Sequence, residues 1–382
     1  MIPKSIVFVR ANNYDCTPAI LRAIEASNDF FNQIEVLDWS RTGEIETNQS
    51  CVPNLKIKSF LYLAPQRSLK VIFITLMYQW WLFWQLLFGK HDVIQVCDIM
   101  SGVPAAVVVL ITRKKLIYDI RDPFALCYQF SKIIKGIAYS VDWCVMAISD
   151  CFVLPTDRYI SYLGRWGKGA KEHYVLPNTC KDNYSDLKTL PSEVIPPLKN
   201  GFIRLAYLGY LDTSRGSEWL IKFCSDMNNK TELIVAGNCR DEVLLKRLRN
   251  APNIYYVGRL SYAECWSLMA DVDGITVLYD PSIPVNCVLD PTKFYESMMV
   301  GTPVLISKYM SLDTIVTQNE LGFVIDHNSI DGLKIAVDQL RDVGIVKPLK
   351  TRCRKYYQDN LNLDNEMIKY KEFYSRVYKL LK

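Results

Sequence analysis

Short β-branched runs alternate with amphipathic stretches along most of the chain. In the first half SIVFV and QIEVLDW read as strands around a helix PAILRAIEASNDFF, and DVIQVCD and KLIYDIRD flank a helix GVPAAVVVLITRKK. A helix around SKIIKGIAYSVDWCV and the segment MAISD follow, then a helix around PTDRYISYLGRWG and the strand HYVLPN. Near-continuous apolar strands separated by helices predict a parallel sheet covered on both faces.

The pattern breaks at LKTLPSEVIPPLKNG, which is Pro-rich and aperiodic and reads as a linker. A second alternating series starts with IRLAYLGYL and runs through TELIVAG, NIYYVG, GITVLY and TPVLIS, each followed by a helical stretch. The expected architecture is α/β, with two Rossmann-like doubly wound domains at about 1–190 and 200–355 facing a cleft. In such sheets ligands bind at the carboxyl ends of the strands. The tail 356–382 carries Met367, Tyr370, Tyr374, Val377 and Leu381 at helical spacing. It predicts an amphipathic helix that packs back on the first domain.

One run departs from the amphipathic texture. VIFITLMYQWWLFWQLLFG, residues 71–89, has no charge between Lys70 and Lys90. It is just long enough to span a bilayer, but a span there would separate the first strand from DVIQVCD and break their common sheet. At helical spacing Thr75, Tyr78, Gln79 and Gln85 share an arc of about 120° with Val71, Leu82 and Leu86. The reading is a helix with one face on the sheet and Trp80, Trp81 or Trp84 turned outward towards lipid; complete burial is the competing reading.

Composition narrows the function classes. The net charge of +5 gives no electrostatic case for nucleic acid. Residues 1–175 hold 19 Lys/Arg against 15 Asp/Glu, so the excess sits in the first half, where it suits an anionic membrane surface. Basic patches at Arg113–Lys115 and Arg165–Lys171 add to it. Twelve cysteines without CxxC spacing and only three histidines form no zinc pattern and read as reduced thiols of a cytoplasmic protein. The apolar run before Arg10 is too short for a signal peptide.

Two segments carry candidate chemistry. In DPTKFYESMMVGTPVLIS, Asp290 reads as an N-cap and Pro291 as the first helical residue of a helix ending at Gly301. The amides of Thr292, Lys293 and Phe294 would hold an anion, Lys293 would add a charge, and Glu296 one turn on would accept from a ribose diol. In LAYLGYLDTSRGSEWL a strand ends at Gly209 and a helix is expected near Ser214 with Arg215 at or beside its start. Gly209 lets a phosphate approach the backbone, and Arg215 supplies fork geometry. Two such loops suit a diphosphate.

These segments, with LIVAGN, NIYYVGRLSYAECWSLMADVDGITVLY and LGFVID in order, resemble the nucleotide-sugar domain of family 4 retaining glycosyltransferases, which have the GT-B fold. The resemblance implies that P-x-K-x-x-E cradles the donor diphosphate and that its Glu binds ribose. It also implies donor contacts from the loop holding Gly209 and Tyr210 and from Arg259, after the strand beside the base. The first half echoes the family in DVIQVCD, LIYDIRDPF, AISD and VLPN. The sequence departs from the pattern at Tyr210, where an arginine is usual, at Val288 for the first paired glutamate, and at Arg121 for a first-domain histidine.

The implied reaction is transfer of a sugar, with retention, from a nucleotide diphosphate sugar to a lipid-linked saccharide acceptor in surface polysaccharide biosynthesis. It would proceed at the inner face of the cell membrane. Arg215 and Lys293 would stabilise the leaving diphosphate, Arg121 and Asp122 would face the acceptor, and Asp122 would orient or deprotonate its hydroxyl. No DxD motif stands out, so no metal or other cofactor is expected. The competing reading is a catalytically silent nucleotide-binding subunit of the same fold.

Overall fold

The computed structural model describes residues 4–14, 18–41, 55–63, 70–121, 123–127, 130–163, 172–239 and 241–381. The chain divides into two compact units, Met1–Asn178 with Asp364–Lys382, and Thr179–Leu363.

The first unit is built on β1 (Ser5–Arg10), β2 (Gln33–Ser40), β3 (Lys56–Leu61), β4 (Val93–Val96), β5 (Lys115–Asp119), β6 (Cys151–Leu154) and β7 (His173–Val175). All pair in parallel, in the order β3-β2-β1-β4-β5-β6-β7. Its helices are α1 (Pro18–Ser27), α2 (Lys70–Phe88), α3 (Ile99–Ile111), the short α4 (Phe124–Cys127), α5 (Lys132–Ile148) and α6 (Arg158–Leu163). The segment MAISD begins as the end of α5, which runs to Ile148, and the next strand is CFVL. Strand β3 has no counterpart in the sequence reading. Its KIKSFL buries only Phe60, as an edge strand can.

The second unit has β8 (Ile203–Leu208), β9 (Thr231–Ala236), β10 (Ile254–Gly258), β11 (Gly274–Val277), β12 (Val304–Ser307) and β13 (Gly322–Ile325). Their order is β10-β9-β8-β11-β12-β13, again parallel. The strand order reverses between β8 and β11, which is where doubly wound sheets open a crevice for ligands. Around the sheet lie α7 (Ser217–Ser225), α8 (Glu242–Asn250), α9 (Tyr262–Ala270), α10 (Pro284–Val288), α11 (Thr292–Val300), α12 (Asp313–Gln318), α13 (Ile330–Arg341) and α14 (Val343–Tyr356). The Pro-rich stretch 187–201 is packed on this unit. Ile195 is in its core, Lys188 N donates to Ser267 Oγ at 3.1 Å, and the Pro196 carbonyl accepts from Arg204 Nη2 at 2.7 Å.

Helix α15 (Leu363–Lys379) belongs almost entirely to the first unit, where it buries Tyr370, Phe373, Tyr374 and Val377 against β1, α1 and β4 residues. Tyr374 Oη donates to Gln95 Oε1 on β4 at 2.7 Å.

Helix α2 inverts the usual polarity of a surface helix. Its weakly polar arc is the packed face: Tyr78, Leu82 and Leu86 are buried, Tyr78 Oη pairs with Ser101 Oγ at 2.9 Å, and Gln79 Nε2 donates to the Met100 carbonyl at 3.2 Å. Ile72, Leu76, Trp80, Trp84 and Phe88, spaced by four, form an exposed stripe, with Phe73 beside it. Trp80 and Trp84 meet edge to face at 5.4 Å, and Trp84 stacks on Phe88 at 5.3 Å. Complete burial of the helix is therefore overturned. Among the described residues α2 is the one helix long and apolar enough to cross a membrane. Its carboxyl end is held by Lys114, whose Nζ donates to the Leu86 and Gly89 carbonyls.

Candidate donor site

The site is assembled where the sheet order of the second unit reverses. Strand β8 ends at Leu208, and Gly209 turns with φ +112°, a conformation costly for any side chain but glycine. The Lys293 ammonium, from the first turn of α11, sits over that glycine: a Cβ added there would lie 2.7 Å from Nζ. Gly237, at the end of β9, closes the other side. With φ +141°, a Cβ on it would fall 1.9 Å from the Gly209 carbonyl oxygen, and Tyr256 Oη donates to its own carbonyl at 2.9 Å.

Arg215 lies beside the start of α7. It ends a 3-10 turn, Thr213–Arg215, and α7 starts at Ser217 after a left-handed Gly216. A Cβ on Gly216 would meet the Leu278 carbonyl at 2.1 Å, so the turn is pressed against the end of β11. Asp280 N donates to the Ser214 carbonyl at 2.8 Å and Asn286 Nδ2 donates to it at 3.3 Å, bracing the loop further. Arg215 Nη1 then donates to Tyr279 Oη at 3.4 Å, with the guanidinium 5.0 Å from the ring centroid. Burial pushes the Tyr279 phenol up, yet Lys293 and Arg215 outweigh it and hold the phenol below its ordinary value. One buried phenol thus feels both cations, which places Arg215 and Lys293 at one focus with Gly209.

Helix α11 starts differently from the sequence expectation. Pro291 is the cap residue and makes no side-chain cap, while Asp290 accepts from Tyr295 Oη at 2.7 Å. Phe294 is a core residue whose amide donates to the Pro291 carbonyl at 3.0 Å. Of the three amides proposed as an anion cradle, those of Thr292 and Lys293 remain at the helix start. Glu296 is buried rather than solvent-facing. Burial raises its pKa, opposed by Lys293 and by the Trp266 indole, which lies near it but outside hydrogen-bond geometry. Tyr210 is exposed and its carbonyl accepts from Tyr207 Oη at 3.0 Å; Arg259 is exposed just past β10.

In the first unit Arg121 lies buried at the end of β5, with Nε 2.6 Å from Asp119 Oδ1 and Nη2 donating to Oδ2 at 3.1 Å. Nη1 donates to the Leu176 carbonyl at 3.1 Å. Burial works against the guanidinium charge, but Asp119 more than restores it. Its charge is committed within the unit, the arrangement of a strand-end ion pair. Asp122 and the patch 165–171 lie outside the described residues.

Gly216, Gly237, Tyr279 and Trp266 were not singled out from sequence. A glycine closing an apolar strand, as in LIVAG, was the available signal for Gly237; nothing local marks Tyr279 or Trp266.

Residues 193–359 match the profile of the family described as glycosyl transferases group 1. A comparison with curated proteins gives no match. Among solved structures, sucrose-phosphate synthase from Thermosynechococcus elongatus superposes with a TM-score of 0.78 at 15% identity, covering 99% of this chain and 100% of that one. HepE from Anabaena, solved with UDP-glucose, gives 0.71 at 13% identity over 98% and 99% of the two chains. WaaG, a glycosyltransferase involved in lipopolysaccharide biosynthesis, gives 0.68 at 14% identity over 96% and 99%. Identities this low speak for the fold, which is GT-B. Residues 193–359 thus carry a domain like those of the group 1 glycosyl transferases, within a chain whose fold is GT-B.

Proposed function

We propose that this enzyme transfers a glycosyl group, with retention, to a lipid-linked saccharide acceptor in surface polysaccharide biosynthesis, docked peripherally on the cytoplasmic face of the membrane. The observation that carries the donor half is the Lys293 ammonium poised over Gly209, with Arg215 converging on the same Tyr279. The fold neighbour HepE binds UDP-glucose, which favours a uridine diphosphate sugar.

In this reading the diphosphate lies across Gly209 and the start of α11. Lys293, Arg215 and the Thr292 and Lys293 amides take up the charge that develops as the glycosidic oxygen leaves. Cations fixed in place before the reaction need no reorganisation as the bond breaks, which is why they act on the transition state more than on the bound donor. Glu296 receives the ribose hydroxyls. Asp122 orients or deprotonates the acceptor hydroxyl. The acceptor half rests on α2: a stripe of Trp and aliphatic side chains faces outward while its few polar groups face in, the distribution suited to an interfacial helix.

The deciding experiment incubates the enzyme with UDP-sugars, with and without extracted lipid-linked saccharides, and follows UDP release and product anomer. Slow donor hydrolysis that rises with lipid acceptor supports the reading. UDP binding without hydrolysis or transfer from any donor overturns it. Asp122→Ala is expected to lower transfer while leaving UDP affinity unchanged.

A further inference from the structure

An open groove of about 590 Å³ runs between α3 and α5 of the first unit, within the roughly 300–1,000 Å³ common for small-molecule sites. Val103, Val107 and Leu110 line it from α3, and Ile133, Ile137 and Ile148 from α5. Gly102 closes one part of the helix contact, since a Cβ there would lie 3.0 Å from Val145 Cγ1. Gly136 does the opposite: a Cβ there would meet nothing within 4 Å, so the absent side chain leaves the wall open. The one hydroxyl in the lining, Ser140, donates to the Gly136 carbonyl at 3.0 Å and is satisfied by its own helix. A lining without polar anchors cannot orient a sugar or a nucleotide. It fits a hydrocarbon.

Charge and continuity indicate where that hydrocarbon comes from. Helix α2 packs on α3 through the Tyr78–Ser101 and Gln79–Met100 contacts, and its aromatic stripe extends the same exposed apolar layer. Neither α2 nor α3 contains an acidic residue, and the single one on α5, Asp142, is buried. Lys70, Lys90, Arg113 and Lys132 stand exposed at the helix ends. Two copies of this face would bring like charges together, whereas anionic headgroups complement them. An exposed apolar layer of this extent with a basic rim marks a lipid contact.

We propose that the α3–α5 groove seats one aliphatic chain of an anionic lipid from the bilayer on which the first unit docks. The proposal rests on the membrane reading above and adds a defined chain site to it. Cys144, exposed and in the groove lining, is the reporter. Lysophosphatidylglycerol below its micelle concentration is titrated into the full-length enzyme, and Cys144 alkylation by N-ethylmaleimide is followed by site-resolved mass spectrometry. The expected result is a saturable slowing of at least about fivefold in the natural sequence and none in Gly136→Leu, whose side chain fills the groove. That variant is expected to keep its helical circular dichroism and to sediment with phosphatidylglycerol vesicles. An unchanged Cys144 rate, or equal slowing in Gly136→Leu, overturns the groove site. If the natural sequence still sediments with vesicles, only the groove proposal falls; if it does not, the membrane reading falls as well. Protection of Cys144 in a lipid-free dimer would assign the face to a second copy and overturn the proposal.

Discussion

Arg121 grips Asp119 at two points, Nε to Oδ1 at 2.6 Å and Nη2 to Oδ2 at 3.1 Å, with both side chains removed from solvent. Gln95 Nε2 joins the same carboxylate at 3.2 Å and links it to Tyr374 of α15. Removing one partner of such a pair strands the other charge, at a cost of roughly 3–5 kcal/mol. Arg121→Ala is therefore expected to lower the urea midpoint strongly, by an amount that Asp119→Asn does not add to in full. A variant with natural stability and lost transfer would instead show Arg121 acting on substrate.

Lys293 and Gly209 make a paired expectation. Loss of a charge-assisted contact to phosphate is worth about 1.5–3 kcal/mol, so Lys293→Ala should weaken UDP and inorganic pyrophosphate alike, by roughly 10- to 100-fold. Gly209→Ala should weaken both as well, because its methyl would come within 2.7 Å of the Lys293 Nζ and push the ammonium aside, on a backbone with φ +112° that strains any side chain. Isothermal titration decides it, and unchanged affinity in both variants removes the diphosphate from this loop.

Glu296→Ala tests the ribose contact proposed for this residue apart from the phosphates. Glu296→Ala should weaken UDP by about tenfold, the scale of one or two hydrogen bonds to a charged acceptor, and leave pyrophosphate binding nearly as it was. Equal losses for the two ligands would mean that the substitution disturbs α11 rather than a ribose contact.

Gly237 is a test of the scaffold. A methyl 1.9 Å from the Gly209 carbonyl cannot be accommodated by a side-chain rotation, since the obstacle is backbone. The positive φ alone costs about 1–3 kcal/mol for other residues. Gly237→Ala is expected to lower stability by at least about 2 kcal/mol and to weaken UDP binding through displacement of the Gly209 turn; a melting curve and affinity like those of the natural sequence would contradict both.

Asp142 sets a pH signature. Burial pushes its carboxyl up to about 6 from 3.8, although the Tyr118 hydroxyl donating to it pulls the other way. The fold therefore holds this proton more tightly than the unfolded chain does. Its stabilising contribution is full below about pH 4 and is lost as pH rises through about 6. Asp142→Asn should be more stable than the natural sequence at pH 7 by about 2–3 kcal/mol and show a flatter profile from pH 4 to 7. Parallel urea-midpoint profiles would refute this.

The alternation of strands and helices was legible because buried parallel strands are near-continuous apolar runs. Where that signal fails, so did the reading. Strand β3 keeps Lys56 and Lys58 exposed at an edge, and α5 runs to Ile148 inside MAISD, where helix and buried strand share the same apolar texture. At the donor site Lys293 and Glu296 were legible as a local helix-start pattern, and Gly209 as a strand-end glycine. Tyr279, Trp266 and Gly237 reach the site from other strands and helices, so their role exists only once β8, β9 and β11 are side by side. Asp290 shows the limit of local rules. It sits one residue before Pro291, the residue that precedes α11, and accepts from the hydroxyl of Tyr295, five residues on.

The two faces of α2 are constrained in different ways. Tyr78, Leu82 and Leu86 answer to shape, because each fits against a particular neighbour, and a change of volume there disturbs the sheet beneath. Ile72, Leu76, Trp80, Trp84 and Phe88 are exposed, and on the membrane reading proposed above they answer only to affinity for an apolar medium, so one large apolar residue can replace another. A version of this enzyme made easier to handle in water would accordingly carry its polar substitutions on the second set alone. On the reading proposed above, it would keep donor binding through residues 209–296 while losing its hold on a bilayer.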